Sequence, residues 1–190
     1  RKEKALESVK KALSLIDELN LGTAVVAGTT LTNAATVYKA FAMPEESIKL
    51  FEKAKATYEK ELSPDDSRLG GLYNNFGLTL TDLKRFDEAE EYYNKAMNVM
   101  SQNKNGELEV AITYLNLCDL YEAKLGSEQS EKIIDEYIEK AYELLNRDYL
   151  PKNGYYAFVC EKCAPTFGYF GRFLYQKELS DRARDIYERN

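Results

Sequence analysis

Two cysteines separated by two residues, Cys160 and Cys163, have the spacing of a metal-ligating or redox-active pair. A structural zinc site needs about four ligands, and thioredoxin-like exchange needs its pair within a βαβ unit. The sequence contains no histidine and only one further cysteine, Cys118, so neither requirement is met. All three cysteines fall at apolar positions of helical patterns, where a free thiol behaves as a small buried hydrophobe. We therefore expect reduced, buried thiols, no metal and no cofactor.

The absence of histidine restricts the chemistry of this chain more than any other feature of its composition. Histidine is the commonest general base, the commonest zinc ligand and the activating partner in Ser-His and Cys-His enzymes. The sequence also has no glycine-rich phosphate loop and no helix-turn-helix signature. These features predict that the protein is not an enzyme.

Three asparagines, Asn33, Asn75 and Asn116, recur at intervals of 42 and 41 residues. An amide side chain carries both a donor and an acceptor, so it can match the alternating N–H and C=O groups of an extended peptide. The alternative is that each amide bonds only a neighbouring helix or water. We favour the interpretation that the three amides form a ladder facing a bound peptide.

The helices that must position these asparagines are predicted to come in pairs. In the first helix of each pair, a small residue is followed three positions later by a large one, a spacing that keeps both on one helical face. The second helices carry small, large and small residues at positions i, i+4 and i+7, as in Ala89, Tyr93 and Ala96. The small positions of the four first helices are Ala35, Gly77, Cys118 and Ala164.

The later pairs are predicted to be longer than the earlier ones. Ala183 and Tyr187 are placed in the first two positions of the last second helix, with Asn190 in its last small position. The third and fourth pairs then contain 4 and 7 extra residues, which we expect mainly as longer helices. Pro165 is expected to interrupt the first helix of the fourth pair.

The whole chain is predicted to be all-α, with about nine antiparallel helices stacked as one continuous solenoid from residue 1 to residue 190. Each pair has an apolar face that only a neighbouring pair can cover, so the pairs cannot be separate domains. A chain that opens on a second helix is expected to be preceded by further repeats or another domain. The predicted parts are 1–20 (second helix of a truncated repeat), 22–62, 66–103 and 105–147 (three repeats) and 152–190 (a fourth, capping pair).

The segment from Arg85 to Ala96, Arg-Phe-Asp-Glu-Ala-Glu-Glu-Tyr-Tyr-Asn-Lys-Ala, resembles the second helix of a tetratricopeptide repeat. The usual unit has about 34 residues, and the spacing of about 42 here is similar to the lengthened form of kinesin light chains. The resemblance extends over nearly the whole chain. It implies a superhelix whose first helices line a concave groove, a non-catalytic role in binding an extended peptide or a partner helix, and asparagines that contact the peptide backbone.

The candidate groove residues project from the first helices beside the core positions. Their charge becomes more acidic toward the C-terminus. Besides the ladder of Asn33, Asn75 and Asn116, they are Thr36, Lys39, Asn74, Leu78, Asp82, Asp119, Glu122 and Lys162.

The segment from residue 155 to residue 175 is unusually rich in aromatic residues. It is expected to close the apolar end of the solenoid, to dock a partner or to form a homodimer interface, in which aromatic residues are enriched. The alternative function is therefore a sensory, scaffolding or homodimerising segment of a larger regulatory protein. The candidate interface residues are Tyr155, Tyr156, Phe158, Tyr169 and Phe173.

The net charge of −6 gives no basic surface for nucleic acid or for anionic membranes. The predicted partner is therefore a protein or peptide. Reduced cysteines and the lack of a signal peptide favour a cytoplasmic protein.

Overall fold

The computed structural model describes residues 2–22 and 24–189, which form nine α-helices and no strand. None of these helices is both long and apolar enough to cross a membrane. The predicted all-α fold is confirmed, whereas the prediction for Asn190 lies outside the described residues. The helices are Lys2–Glu18 (α1), Val25–Ala40 (α2), Pro44–Glu61 (α3), Ser67–Asp82 (α4), Phe86–Ser101 (α5), Glu107–Leu125 (α6), Ser127–Leu145 (α7), Gly154–Tyr169 (α8) and Phe173–Glu188 (α9).

The chain divides into two compact units, Arg1–Asn103 and Lys104–Asn190. In unit 1, α2 packs against α3 and α4 against α5, while α1 contacts α2 and α3 contacts α4. In unit 2, α6 packs against α7 and α8 against α9, and α6 also contacts α8. Each unit is thus built from helical pairs whose members follow one another directly in the chain.

Small residues lie where two helices of a pair approach most closely. A Cβ atom on Gly77 would lie 2.7 Å from a ring carbon of Tyr93, whose side chain is fully buried in α5. In the preceding pair, the hydroxyl of Ser47 donates a hydrogen bond of 2.8 Å to the carbonyl oxygen of Ala35. The predicted pattern of small and large positions is therefore the packing pattern of these pairs.

Three of the linkers within pairs have the same conformation. Ala42 (φ 57°), Lys84 (φ 58°) and Gly171 (φ 78°) each lie two residues before the second helix of their pair. A positive φ reverses the chain direction over three residues and brings the second helix back along the first. Only glycine adopts this conformation without steric cost, so Ala42 and Lys84 are strained.

The predicted lengthening holds for the third pair and is wrong for the fourth. Helices α6 and α7 have 19 residues each, whereas α8 and α9 have 16 each, as do α4 and α5. Ala183 lies ten residues after the start of α9, as Ala96 does in α5, so it takes the last small position. Gln176, at the first position, lies against Gly168 of α8. Gln176 and Ser180 depart from the small and large residues of the pattern, so the sequence favoured a register in which Ala183 comes first.

Pro165 lies inside α8, which continues to Tyr169, so the predicted interruption is wrong. Proline cannot donate the backbone hydrogen bond to the carbonyl four residues earlier, that of Glu161. Both residues are exposed, so water can satisfy this carbonyl. The buried side of the helix, which includes Cys160 and Cys163, packs in the core of unit 2.

Candidate functional site

The first helices of unit 1 present a polar surface, the α2–α4 face. An ion pair of 3.2 Å between Lys39 and Asp82 joins the C-terminal ends of these two helices. Both residues are candidate groove residues, and the structure brings them together. Because each charge compensates the other, this end of the face carries no net charge.

Asn33 lies on the exposed side of α2. Within the described part of the chain, its amide makes no hydrogen bond. Thr36, three residues on and also exposed, uses its hydroxyl to donate a hydrogen bond of 3.0 Å to the carbonyl of Thr32. Asn33 therefore keeps a free donor and a free acceptor at the surface, whereas the donor of Thr36 is engaged by its own helix.

Three of the candidate groove residues of the neighbouring helix α4 are less exposed than Asn33 and Thr36 of α2. Asn75 is half-buried, and its Nδ2 donates a hydrogen bond of 3.0 Å to the carbonyl of Gly71. Its Oδ1 has no donor among residues 2–22 and 24–189. Leu78 is half-buried, and Asn74 is only 7% exposed. Asn74 is therefore not presented to a partner, and Asn75 offers an acceptor only.

The first helices of unit 2 present a second surface, the α6–α8 face. Its members on each helix are spaced by three, four or seven positions, so they share one side of the helix. Asp119 and all four of the α8 members are exposed, and the other three α6 members are half-buried. The members are Glu109, Asn116, Asp119 and Glu122 of α6, with Tyr155, Phe158, Lys162 and Tyr169 of α8.

Tyrosine–carboxylate hydrogen bonds link α6 to α8 and to the segment before it. The phenol of Tyr169 donates to Oε2 of Glu122 at 2.9 Å, and the phenol of Tyr155 donates to Glu109. The phenol of Tyr149 donates to Oε1 of Glu107 at 2.7 Å. Glu107, Glu109 and Tyr149 were not among the site residues predicted from the sequence. The signal was available, because each tyrosine follows its carboxylate by 42 to 47 residues, about one repeat.

The carboxylates of the α6–α8 face are not compensated by cations. Glu109, Asp119 and Glu122 make no ion pair with any Lys or Arg of the described chain. Burial raises the pKa of Glu109, and the positive charge of Lys162 partly offsets this effect. Part of the Asp119 side chain is exposed, but the packed atoms around its carboxyl group exclude water, and this desolvation, together with the charge of Glu122, raises its pKa to about 6. The face therefore carries excess negative charge.

Aromatic rings flank these carboxylates. Tyr155 and Phe158 are 49% and 50% exposed, and their rings stack with centroids 6.3 Å apart. Tyr169 and Phe173 are 70% and 69% exposed. Tyr156 is completely buried and donates a hydrogen bond of 2.9 Å to the carbonyl of Leu145, so its assignment to an interface is wrong. Adjacent helical positions point in directions about 100° apart, which separates Tyr155 from Tyr156.

The three cysteines are buried, as predicted. Burial raises the pKa of Cys118 and of Cys163 to about 12, and it also raises the pKa of Cys160. Their thiols stay protonated near neutral pH, and a protonated thiol is a poor nucleophile and metal ligand. No group of three His, Cys, Asp or Glu side chains in the described residues has the arrangement of a metal site.

Comparison with known proteins gives a family model and several structures. Residues 68–143, from α4 into α7, match the model of the tetratricopeptide repeat. The crystal structure of the putative kinesin light chain nearly identical TPR-like repeats of Podosopora anserina is 15% identical, with a TM-score of 0.63 over 99% of this chain and 88% of that chain. A crystal structure of a point variant of the same repeats is also 15% identical, with a TM-score of 0.64 over 97% and 86% of the two chains.

BtubC (BKLC) from P. vanneervenii is 19% identical, with a TM-score of 0.55 over 85% of this chain and 63% of that chain. No curated protein matches this chain in sequence. At these identities the structures establish the fold alone. Together with the family model, they confirm the resemblance to the lengthened repeat.

Proposed function

We propose that this chain is a protein of tetratricopeptide repeats in the lengthened, kinesin-light-chain-like form, and that it is a non-catalytic module that binds an extended segment of a partner protein along its first helices. Tetratricopeptide repeats generally mediate protein–protein interaction. To this general role, we add which surface binds the partner and how the partner is recognised.

The exposed and unpaired amide of Asn33 is the observation that carries this proposal. Asn33 has no hydrogen-bond partner within the described chain, so both the donor and the acceptor of its amide are available to a bound peptide. Every residue of an extended peptide except proline offers both an N–H and a C=O. Asn33 can therefore donate to one and accept from another, whatever the side chains of the peptide.

The neighbouring helix supplies a second contact in the same unit. Helix α4 contacts α2, and the free Oδ1 of Asn75 adds an acceptor for a peptide N–H. Thr36, Leu78 and the ion pair of Lys39 with Asp82 border this surface and would contact the side chains of the peptide. The α2–α4 face thus combines sequence-independent amides with a polar border.

In unit 2, the proposal assigns the same role to Asn116 because of its position in the repeat. Asn116 lies two residues before the small residue Cys118, as Asn33 lies before Ala35 and Asn75 before Gly77. Asp119, Glu122 and Lys162 belong to the same α6–α8 face. This assignment rests on equivalent position and not on a free amide.

The test replaces Asn33, Asn75 and Asn116 together by alanine and compares the proteins that immobilised wild type and variant capture from a lysate. We expect the variant to lose the captured partner by at least tenfold while its circular dichroism spectrum is unchanged. The matched control removes three exposed amides from second helices, Asn94, Asn98 and Gln129, and should keep the partner. Equal capture by the wild type and the first variant would disprove recognition through the amide ladder.

Self-association is a second candidate function, favoured by the exposed aromatic residues of unit 2. Tyr169, Phe173 and Leu174, at the turn between α8 and α9, are 70%, 69% and 81% exposed. Large exposed apolar groups of this kind often mark interfaces. Sedimentation velocity decides this case, since a strictly monomeric species at high micromolar concentration contradicts self-association.

A further inference from the structure

We propose that the α6–α8 face binds a cationic partner segment in which lysine or arginine alternates with apolar residues. This inference rests on the proposed function, because it names the chemistry of the segment that unit 2 takes. It concerns side-chain recognition, whereas the amide ladder concerns the peptide backbone.

Exposed aromatic rings favour a partner with both apolar and cationic groups. Half of the surface of Tyr155 and of Phe158 is accessible, and the two rings stack into one continuous platform. Aromatic faces are attractive to the guanidinium group of arginine and to the ammonium group of lysine, and they also cover apolar side chains. Tyr169 extends the aromatic surface near the other end of α8.

Charge complementarity determines the sign of the partner. The hydrogen-bond donors to Glu109 and Glu122 are neutral phenols, so neither carboxylate is paired with a cation. Asp119 adds a third charge, and Lys162 is the one cation among the members of the face. A cationic segment is attracted to this surface, and an acidic one is repelled.

On this face, α6 provides the carboxylates and α8 provides the aromatic rings. Alternate side chains of an extended segment point to opposite sides. A segment lying between α6 and α8 therefore directs one set of side chains toward the carboxylates of α6 and the other toward the aromatic residues of α8. Glu109 and Glu122 are 13 residues apart, about 20 Å along the helix. An extended segment of about six residues has this length.

The titration of Asp119 supports this assignment. Its pKa of about 6 means that burial and the charge of Glu122 make the ionised form of Asp119 unfavourable in the folded protein. A partner cation placed beside Asp119 would remove this penalty. The compensated ion pair of Lys39 with Asp82 offers no comparable gain on the α2–α4 face.

The experiment uses three fluorescein-labelled peptides of nine residues in which leucine alternates with arginine, with glutamine or with glutamate. Fluorescence anisotropy measures their binding to the whole chain at physiological salt. We expect the arginine peptide to bind at least about tenfold more tightly than the glutamine peptide, a difference of about 1.4 kcal/mol. The glutamate peptide should bind more weakly than either.

Two variants with the same change in net charge test the location. The combined change Glu109→Gln, Asp119→Asn and Glu122→Gln should weaken binding of the arginine peptide at least about tenfold. The control change Glu7→Gln, Glu52→Gln and Glu143→Gln, at exposed carboxylates on other helices, should weaken it less than about twofold. The substitution Phe158→Ala tests the rings, and it should cost between about threefold and tenfold.

The possible results separate this inference from the proposed function. If all three peptides bind equally, or if both charge variants lose affinity to the same extent, the inference is overturned while the proposed function stands. If no peptide binds the wild type, both are overturned in unit 2. Retained binding by the first charge variant, with circular dichroism showing that it is folded, also contradicts the inference.

Discussion

Asp119 and Glu122 lie within one turn of α6, and the charge of Glu122 adds to the effect of burial in raising the pKa of Asp119 to about 6. The usual value for an aspartate is 3.8. Above pH 6 the folded protein therefore keeps a charge that destabilises it. Perturbed acids that remain charged at a cost to stability are enriched at functional sites.

The substitution Asp119→Asn is expected to stabilise the protein at neutral pH. Because the folded pKa lies above the unfolded value, the folded state binds the proton more tightly, and stability falls as the pH rises from about 4 to about 6. Asparagine removes this loss. Since Asp119 is exposed and screened by solvent, we expect a gain of about 1 kcal/mol or less at pH 7.5, measured by urea unfolding.

The same gain should vanish near pH 4, where aspartate is protonated in the folded protein. The change Asp148→Asn, which also removes one exposed carboxylate, serves as the control. A gain for Asp119→Asn that does not depend on pH would contradict this account. On the present proposals, the variant is more stable and yet binds a cationic peptide less tightly.

Two glycines of α4 are expected to respond in opposite directions to alanine. The substitution Gly77→Ala pushes a methyl group into the buried ring of Tyr93, and overpacking of this kind costs about 1 to 3 kcal/mol. At Gly71 no atom lies within 4 Å of the new Cβ, so Gly71→Ala should gain up to about 1 kcal/mol of helix propensity. Thermal unfolding followed by circular dichroism measures both, and a loss at both sites would refute the argument from close packing.

The left-handed linker residues give a prediction about strain. Replacing Ala42 or Lys84 by glycine should stabilise the protein by about 0.5 to 1 kcal/mol, because glycine adopts a positive φ without a clash. The reverse change, Gly171→Ala, should destabilise it by about 1 kcal/mol. Denaturant midpoints of the three variants check this, and Ala42→Gly or Lys84→Gly variants less stable than the wild type would show that strain is absent there.

The cysteines are expected to be inert in the folded protein. Burial raises the pKa of Cys118 and Cys163 to about 12, so almost no thiolate is present at pH 8, and the side chains are shielded from reagents. Labelling with Ellman's reagent should therefore be slow in buffer and rapid in denaturing urea. Rapid labelling of one thiol in buffer would identify an accessible cysteine and contradict its burial.

The three asparagines of the ladder show what a sequence pattern can predict about a site and what it cannot. The interval of 41 to 42 residues predicted that Asn33, Asn75 and Asn116 occupy equivalent positions, and all three lie in first helices. The pattern did not predict that Asn75 would donate to the carbonyl of Gly71 while the amide of Asn33 stays free. Such differences arise because the local backbone and rotamer of each site decide what an amide reaches.

The sequence by itself determined the all-α fold, the pairing of the helices and the small positions such as Gly77. The spacing of apolar residues decides which positions share a helical face, and the size of the residues there decides how closely two helices approach. The tertiary structure decided the register of α9, where Gln176 and Ser180 occupy positions at which the pattern expects a small and a large residue. It also decided that the tyrosines of unit 2 bond the carboxylates of α6. Those bonds join residues 42 to 47 positions apart, so only the packing of whole helices brings them together.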